Sequence, residues 1–315
     1  MDKCKRKSLV VPYIDQDQKF WQRLYSLYGD QIKEVYFPID DPEIPTGRPR
    51  QPDDFLKPFL ESKVFPVSVL INPVILSRPV EYYVDRILKK LEFYSENFRL
   101  TGVTLTNLTL AKLIKETFPD LRLAASTLME ICSEQQLNII NGIFDIIVPP
   151  GKAMRDLRTL RTLRKSFQGT IRLLVNEACI PSCVFRTQHF YEMSDPVIAH
   201  PQSLCQDLLK EKPWLRLTGG WILPQHLFLF NELYDEIKLS GRITLKHPSD
   251  FLRVLDGYVN ENELQPHETG GGPASVNIPM PIETAFYKYT LNCRKNCGTC
   301  KVCHDYWAYK TGKHE

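Results

Sequence analysis

Short apolar runs rich in β-branched and aromatic residues alternate along the chain with longer stretches of helical periodicity. Eight such runs precede residue 255, and they read SLVVPYI, IKEVYFPI, FPVSVLIN, LTGVTLT, LRLAAST, IFDIIVP, TIRLLVN and IKLSG. The stretches between them, such as VEYYVDRILKKLEFYSE and LTLAKLIKETF, carry apolar residues three and four positions apart, the spacing of an amphipathic helix. Eight strand and helix units in alternation predict an α/β fold, a (β/α)8 TIM-type barrel over residues 1–259.

The alternative fold is an open doubly wound sheet. No Gly-rich phosphate-binding fingerprint follows the first strand, which disfavours that fold.

The pattern also departs from the barrel repeat in three places. A long insertion, residues 178–235, follows the seventh strand. Residues 260–285 are rich in Pro and Gly and are typical of a linker or a lid, and residues 286–315 form a cysteine-rich tail.

Composition limits the classes of function. The chain has 315 residues, 43% of them hydrophobic, enough for a large core. Its formal net charge is only +3, which gives no general case for nucleic-acid binding, and we expect no DNA partner. The basic start lacks the cleavage site of a signal peptide, and no apolar run reaches membrane-spanning length. We therefore expect a cytoplasmic protein without a membrane partner.

Nine cysteines are more than packing requires, and their odd number disfavours a closed disulfide framework. Four of them form a C-x3-C-x2-C-x2-C run in the tail, Cys293, Cys297, Cys300 and Cys303. Four thiols at this spacing predict a metal site. The spacing favours an iron–sulfur cluster, with structural zinc as the alternative.

Two more cysteines follow the seventh strand in the stretch NEACIPSC, and the carboxyl ends of barrel strands form the active-site face. Cys179 and Cys183, with Cys205 from the same insertion, would make a soft-metal site for zinc or an iron–sulfur cluster. His189 or an outside group would complete it. The alternative is that these cysteines are ordinary buried thiols.

In the eighth strand, alternation places Lys238 opposite Ile237 and Leu239. If the two aliphatic residues face the helices, Lys238 points into the barrel. There it would bind an anion, act as a base or form a Schiff base, and the alternative is an ion pair with Glu177.

A row of arginines lies in RDLRTLRTLRK. It is typical of the solvated face of the sixth barrel helix, and a patch for RNA or an acidic partner is the alternative. Its members are Arg155, Arg158, Arg161 and Arg164.

The stretches LLVNEACIPSCVFRTQHF, KPWLRL and IKLSGR, together with the cysteine run of the tail, resemble peptidase family U32, the collagenase-like peptidases, in its compact branch with a cysteine-rich tail. The resemblance implies a TIM-type barrel and, as in many relatives, a cluster bound by cysteines near the barrel mouth. Relatives include proteins for oxygen-independent hydroxylation of the ubiquinone ring and for hydroxylation of ribosomal or transfer RNA. Other relatives are described as proteases.

Our first hypothesis from the sequence is an iron–sulfur oxidoreductase, hydroxylase-like, with one or two 4Fe-4S clusters. Its substrate would be a small molecule, a peptide or RNA, with an electron donor as a further partner. The acid, base or anion-binding candidates at the barrel mouth are Glu177, His189, Lys238 and Arg242.

Two alternatives belong to other classes. One is an RNA- or protein-binding module with structural zinc. The other is a protease, although the chain contains neither a G-x-S-x-G elbow nor an H-E-x-x-H motif.

Overall fold

Eight parallel strands close into a barrel in chain order. The computed structural model describes residues 8–48, 53–177, 179–181, 183–194, 204–241, 244–271 and 278–312. The first and last strands pair through Leu9 with Ile237 and Val10 with Lys238, which completes the ring. The strands are β1 Leu9–Pro12, β2 Ile32–Pro38, β3 Val67–Ile71, β4 Leu100–Leu105, β5 Arg122–Ala125, β6 Ile146–Ile147, β7 Thr170–Leu174 and β8 Glu236–Lys238. Seven of them lie within the predicted apolar runs, and β8 begins one residue before its run, at Glu236. The predicted (β/α)8 barrel is therefore confirmed.

Helices separate the strands and cover the outside of the barrel. Those in the described part of the chain are α1 Gln18–Tyr28, α2 Leu56–Ser62, α3 Glu81–Asn97, α4 Leu108–Thr117, α5 Glu134–Ile140, α6 Gly151–Met154, α7 Leu157–Ser166, α8 Arg186–Ser194, α9 Leu204–Glu211, α10 Pro248–Asn260, α11 Thr284–Thr290 and α12 Val302–Thr311. Short 3-10 helices are Thr127–Met129, Pro213–Thr218, Pro224–Phe230 and Pro266–Thr269. Of the helices described here, none has the length and apolar character to cross a membrane.

Side chains alternate between the two faces of each strand, as a pleated strand requires. On β1, Leu9 and Val11 belong to the large core between the strands and the helices. The residue between them, Val10, packs instead with Tyr36 and Leu70 in a small cluster inside the barrel. The barrel is therefore filled by side chains, and its interior is separate from the outer core.

The lower part of the barrel interior holds a buried ionic network centred on Arg172. Its guanidinium contacts Glu34 at 2.8 Å and Glu236 at 2.6 Å, and all three side chains are at most 4% exposed. Ser68 also donates a hydrogen bond to Glu34, at 2.9 Å. This network joins β2, β3, β7 and β8 across the barrel.

The tail packs onto the insertion. Tyr287 of α11 is fully buried and donates a hydrogen bond to the carbonyl oxygen of Trp221, at 3.2 Å. In addition, Phe286 stacks on Tyr306 of α12, with ring centroids 3.8 Å apart. Burial of these aromatic rings fixes the tail cysteines relative to the loops after β6 and β7.

Candidate functional site

A cavity of about 230 Å³ opens at the carboxyl ends of the strands, where the active sites of TIM-type barrels lie. Tyr36 of β2, Leu70 of β3 and Lys238 of β8 form part of its wall. Gly270 and Gly271, after the last barrel helix, close one side. Among the described residues that line this cavity, none carries a carboxylate.

Lys238 lies inside the barrel, the side that strand alternation predicts. Its ammonium nitrogen is 4.1 Å from the centroid of the Tyr36 ring, and the residue is 7% exposed. Burial, reinforced by the positive charge of Arg172, lowers the pKa of Lys238 to about 7. The alternative ion pair with Glu177 is wrong, because the Glu177 carboxylate is bound by Arg186, at 2.7 Å.

Replacing this lysine by a neutral side chain of similar length should stabilise the protein. We expect Lys238→Met to raise the free energy of unfolding at pH 6–7 by about 1–3 kcal/mol, because a buried charge without an anion is costly. Between pH 7 and the ordinary lysine pKa of 10.5 the unfolded chain binds the additional proton, so stability of the native sequence rises with pH there. The advantage of the variant should therefore fade above pH 7 in urea titrations. A variant less stable than the native chain at pH 6 would contradict this.

The glycine pair that closes the cavity is held against the end of β7. The Asn176 amide donates hydrogen bonds to the carbonyl oxygens of Ser240 and Thr269, at 2.9 and 2.8 Å. A side chain at Gly271 would place its Cβ 1.6 Å from the carbonyl oxygen of Asn176, so only glycine permits this close approach. Asn176 thus fixes one wall of the cavity.

A second cavity, of about 380 Å³, lies under the loop that carries Cys179 and Cys183. Arg186, the first residue of α8, crosses it and contacts Glu177 at 2.7 Å and Glu130 at 2.9 Å. The ion pairs link the end of β7, at Glu177, to the loop after β5, at Glu130. Both thiols line this second cavity.

The three thiols of the insertion lie in one region of the protein although the sequence separates them. Burial, followed by the negative charge of Glu177, raises the pKa of the Cys179 thiol to about 12, and Cys183 and Cys205 lie close enough to act on it electrostatically. Within the described segments, however, no group of three or more Cys, His, Asp or Glu side chains is arranged to hold a metal ion. Thiol donors suit a soft metal.

Arg48, in the loop after β2, links the two cavities. It lines the mouth cavity, and its charge interacts with those of Glu177 and Cys179. Its guanidinium carbon is 5.3 Å from the centroid of the Phe190 ring on α8. Sequence reasoning missed this residue, although its place in a Pro-rich loop after a barrel strand was a usable signal.

Of the two remaining acid, base or anion-binding candidates, the structure describes one. His189 is on α8, and burial lowers its pKa. Arg242 lies outside the described residues. Of the four acid, base or anion-binding candidates, the structure thus places Lys238 in the mouth cavity and Glu177 against Arg186, beside the cysteine loop.

The tail cysteines form a separate group. Burial raises the pKa of the Cys303 thiol to about 12, and the charges of Cys293, Cys297 and Cys300 act on it. A third cavity, of about 210 Å³, is lined by Cys303 and by Ile180 of the first cysteine loop. The two cysteine groups are therefore neighbours in space.

Arg155 corrects the interpretation of the arginine row. It precedes α7 and is buried, not solvated. Its guanidinium lies 4.5 Å from the ring centroids of Trp221 and Tyr287 and donates hydrogen bonds to the carbonyl oxygens of Leu217 and Gly219, at 2.8 and 2.9 Å. This arginine anchors the insertion and the tail and is unavailable to RNA.

The protein is therefore a (β/α)8 barrel with a cavity at the carboxyl ends of its strands and a cysteine-containing loop after β7. No family model matches the chain. An uncharacterized protease of Methanocaldococcus jannaschii is 27% identical over 169 residues, which is 48% of this chain and 48% of that protein. The chain thus matches about half the length of this curated relative.

A solved structure, that of the U32 peptidase Mk0906, superimposes with a TM-score of 0.53 at 14% identity and covers 75% of this chain and 93% of that one. At this identity the likeness shows the fold. The chain therefore has the fold of a U32 peptidase, in agreement with the resemblance that the motifs indicate. The words protease and peptidase in the two names describe those proteins.

Proposed function

We propose that the protein is an iron–sulfur oxidoreductase, hydroxylase-like, that modifies a substrate in the mouth cavity of the barrel. The observation that supports this most directly is the position of Cys179 and Cys183 at one cavity with Arg186. The charges of Cys205 and Glu177 also act on Cys179, so these two residues belong to the same region. These three thiols would hold the cluster, and a bound cluster would supply electron transfer. Zinc in the tail is the alternative for Cys293, Cys297, Cys300 and Cys303.

The protein's own side chains would position the substrate. Arg186 holds the Glu177 carboxylate in place at 2.7 Å, so this carboxylate is set next to the cysteine loop as an acid or base. Arg48 and Lys238 present positive charge to the cavity. The pKa of Lys238 near 7 allows this amine to take up or release a proton at neutral pH.

A peptidase is the second candidate, because both similar proteins carry that description. The chemistry of Cys179 disfavours a cysteine nucleophile, since burial raises the pKa of its thiol to about 12 and nucleophilic cysteines need a lowered pKa. A cavity of about 230 Å³ also suits a small molecule better than an extended peptide.

Metal analysis separates the candidates. We expect protein purified without oxygen to be brown and to contain iron and sulfide, and Cys179→Ser/Cys183→Ser to lose about half of the iron if the tail holds a second cluster. Iron, zinc and sulfide content and visible absorption are measured on both proteins. Cys132→Ser is the matched control. Cys132 is also a half-buried thiol, but the charges that act on it include Lys152 and Glu130 and none of the thiols of the insertion.

The other outcomes overturn the proposal. Colourless protein that takes up neither iron nor sulfide on anaerobic reconstitution would exclude the redox function. Colourless protein with equal zinc in the native chain and the double variant would confine the metal to the tail. Peptide cleavage that is lost in Cys179→Ser, without any change in metal content, would establish the peptidase.

A further inference from the structure

The mouth cavity contains two cationic side chains and no described carboxylate to neutralise them. Lys238 and Arg48 both line it. The positive charge of Arg48 repels that of Lys238. Among the described residues, neither forms an ion pair. The Arg48 guanidinium donates a hydrogen bond to the Gly47 carbonyl oxygen, at 3.1 Å, and lies over the Phe190 ring, and the more distant charge of Glu177 acts on it. Two like charges in a cavity of about 230 Å³ repel one another unless an anion lies between them.

The rest of the wall is both polar and apolar. Leu70, Val148 and Leu174 provide apolar surface. Asn72 is 3% exposed, lines the same cavity, and its amide oxygen is buried without a hydrogen-bond partner. Buried polar atoms of this kind are rare in folded proteins and need a partner. The hydroxyl of Ser126, which accepts a weak hydrogen bond from Asn72 at 3.4 Å, also lines the cavity.

We propose that the mouth cavity binds a small organic acid, with its carboxylate between Lys238 and Arg48 and its apolar body against Leu70, Val148 and Leu174. Arginine supplies a planar fork that fits a carboxylate, and lysine supplies a compact point charge. The unpartnered oxygen of Asn72 accepts a hydrogen bond from a hydroxyl of the ligand. That this acid is the substrate rests on the proposed function. That the acid binds does not, because binding requires neither a metal nor a reaction.

Calorimetry with a charged ligand and its neutral analogue tests this proposal. The probes are mandelate, a hydroxy acid with an apolar ring, and mandelamide, which has the same shape without the charge. On metal-free native chain we expect mandelate to bind and mandelamide to bind at least tenfold more weakly, which corresponds to about 1.4 kcal/mol. Inorganic phosphate, which has no apolar body, should bind more weakly than mandelate.

The variants assign the two charges. Lys238→Met and Arg48→Met should each weaken mandelate binding at least tenfold, and Lys89→Met, on the exposed face of α3, should leave it unchanged. Circular dichroism and urea titration show whether each variant is folded. Equal binding of mandelate and mandelamide, unchanged affinity in both cavity variants, or tighter binding of phosphate than of mandelate would each overturn the proposal.

The pH dependence gives an independent readout. Mandelate affinity should fall as pH rises from 6 to 8.5, because Lys238 loses its proton, and the fall should be absent in Lys238→Met. The other charged and titratable groups around Lys238 belong to β2, the loop after it, β7 and β8, and they are Glu34, Tyr36, Arg48, Arg172 and Glu236. The Glu34 and Glu236 carboxylates contact Arg172 at 2.8 and 2.6 Å. Against the effect of burial, the charges of Arg172 and Arg122 hold the pKa of Glu236 below its ordinary value of 4.5, so this carboxylate does not titrate between pH 6 and 8.5. Affinity that is flat with pH would contradict the assignment of Lys238.

The calorimetry and the metal analysis test separate claims. If the protein takes up no iron–sulfur cluster, the calorimetry on metal-free protein still shows whether the organic acid binds. Failure of mandelate to bind a brown, iron-containing protein would remove the organic acid and leave the redox function intact.

Discussion

Arg172→Met is expected to lower the free energy of unfolding by about 3–5 kcal/mol, the usual result of removing one partner from a buried ionic network. The variant leaves the Glu34 and Glu236 carboxylates inside the barrel without their main cation. Burial alone would raise the pKa of Glu236, but Arg172 and Arg122 hold it below its ordinary value of 4.5. Without Arg172, both carboxylates must either stay charged at high cost or take up a proton.

Urea titration at pH 7 measures this loss, with Lys33→Met as the matched control. Lys33 contacts the same Glu236 carboxylate at 3.5 Å, but its side chain is 46% exposed, so its removal should cost less than about 1 kcal/mol. Adding Glu34→Gln and Glu236→Gln to Arg172→Met should recover part of the stability, because the orphaned charges are removed. A loss below about 1 kcal/mol for Arg172→Met would refute the role of the network.

The stabilising contribution of Glu236 also has a defined pH dependence. Its folded pKa is lowered, so the contribution is complete above the ordinary value of 4.5 and is lost as pH falls through the lowered pKa. The free energy of unfolding of the native chain should therefore fall as pH is lowered below 4.5. The fall should be smaller in the triple variant Arg172→Met/Glu34→Gln/Glu236→Gln, which lacks both carboxylates.

Asn176→Ala is the second variant for which we expect a large effect. The side chain is fully buried and makes four hydrogen bonds, donating to the carbonyl oxygens of Ser240 and Thr269 and accepting from the backbone N–H and the hydroxyl of Ser240. Because alanine leaves buried backbone groups without partners, we expect the free energy of unfolding to fall by about 2–4 kcal/mol.

The same change should loosen one wall of the mouth cavity. Amide hydrogen exchange at Thr269, Gly270 and Gly271 is expected to accelerate, since Asn176 no longer binds this segment. Asn97→Ala is the control, because the Asn97 amide donates to a carbonyl oxygen on an exposed part of α3 and its loss should cost less than about 0.5 kcal/mol. Unchanged exchange in Asn176→Ala would show that the glycine segment is held by other contacts.

The strand pattern of this chain was readable from local sequence. Each of the eight apolar runs marks one strand of the barrel, although β8 begins one residue before its run, at Glu236. The runs are readable because buried parallel strands are largely apolar and alternate with helices of period 3.6. The alternation in β8 also placed Lys238 in the interior, because side-chain direction along a strand follows from position alone.

The partners of the polar residues were decided by tertiary structure. Lys238 and Glu177 follow neighbouring strands, but Glu177 contacts Arg186 instead, because α8 folds back over the cysteine loop. Arg155 reads as a member of a solvated helical row, yet it is buried between Trp221 and Tyr287. Local periodicity carries no information about which distant segment will cover a given arginine.

By itself, the sequence determined the barrel, the position of its mouth and the two groups of cysteines that lie near it. Only the tertiary structure decided that Arg48 joins Lys238 in an acid-free cavity and that Arg172 binds two carboxylates across the barrel. The physical reason is the range of the interactions. Strand and helix periodicity acts between neighbours in the chain, whereas these charges meet through loops and strands far apart in sequence.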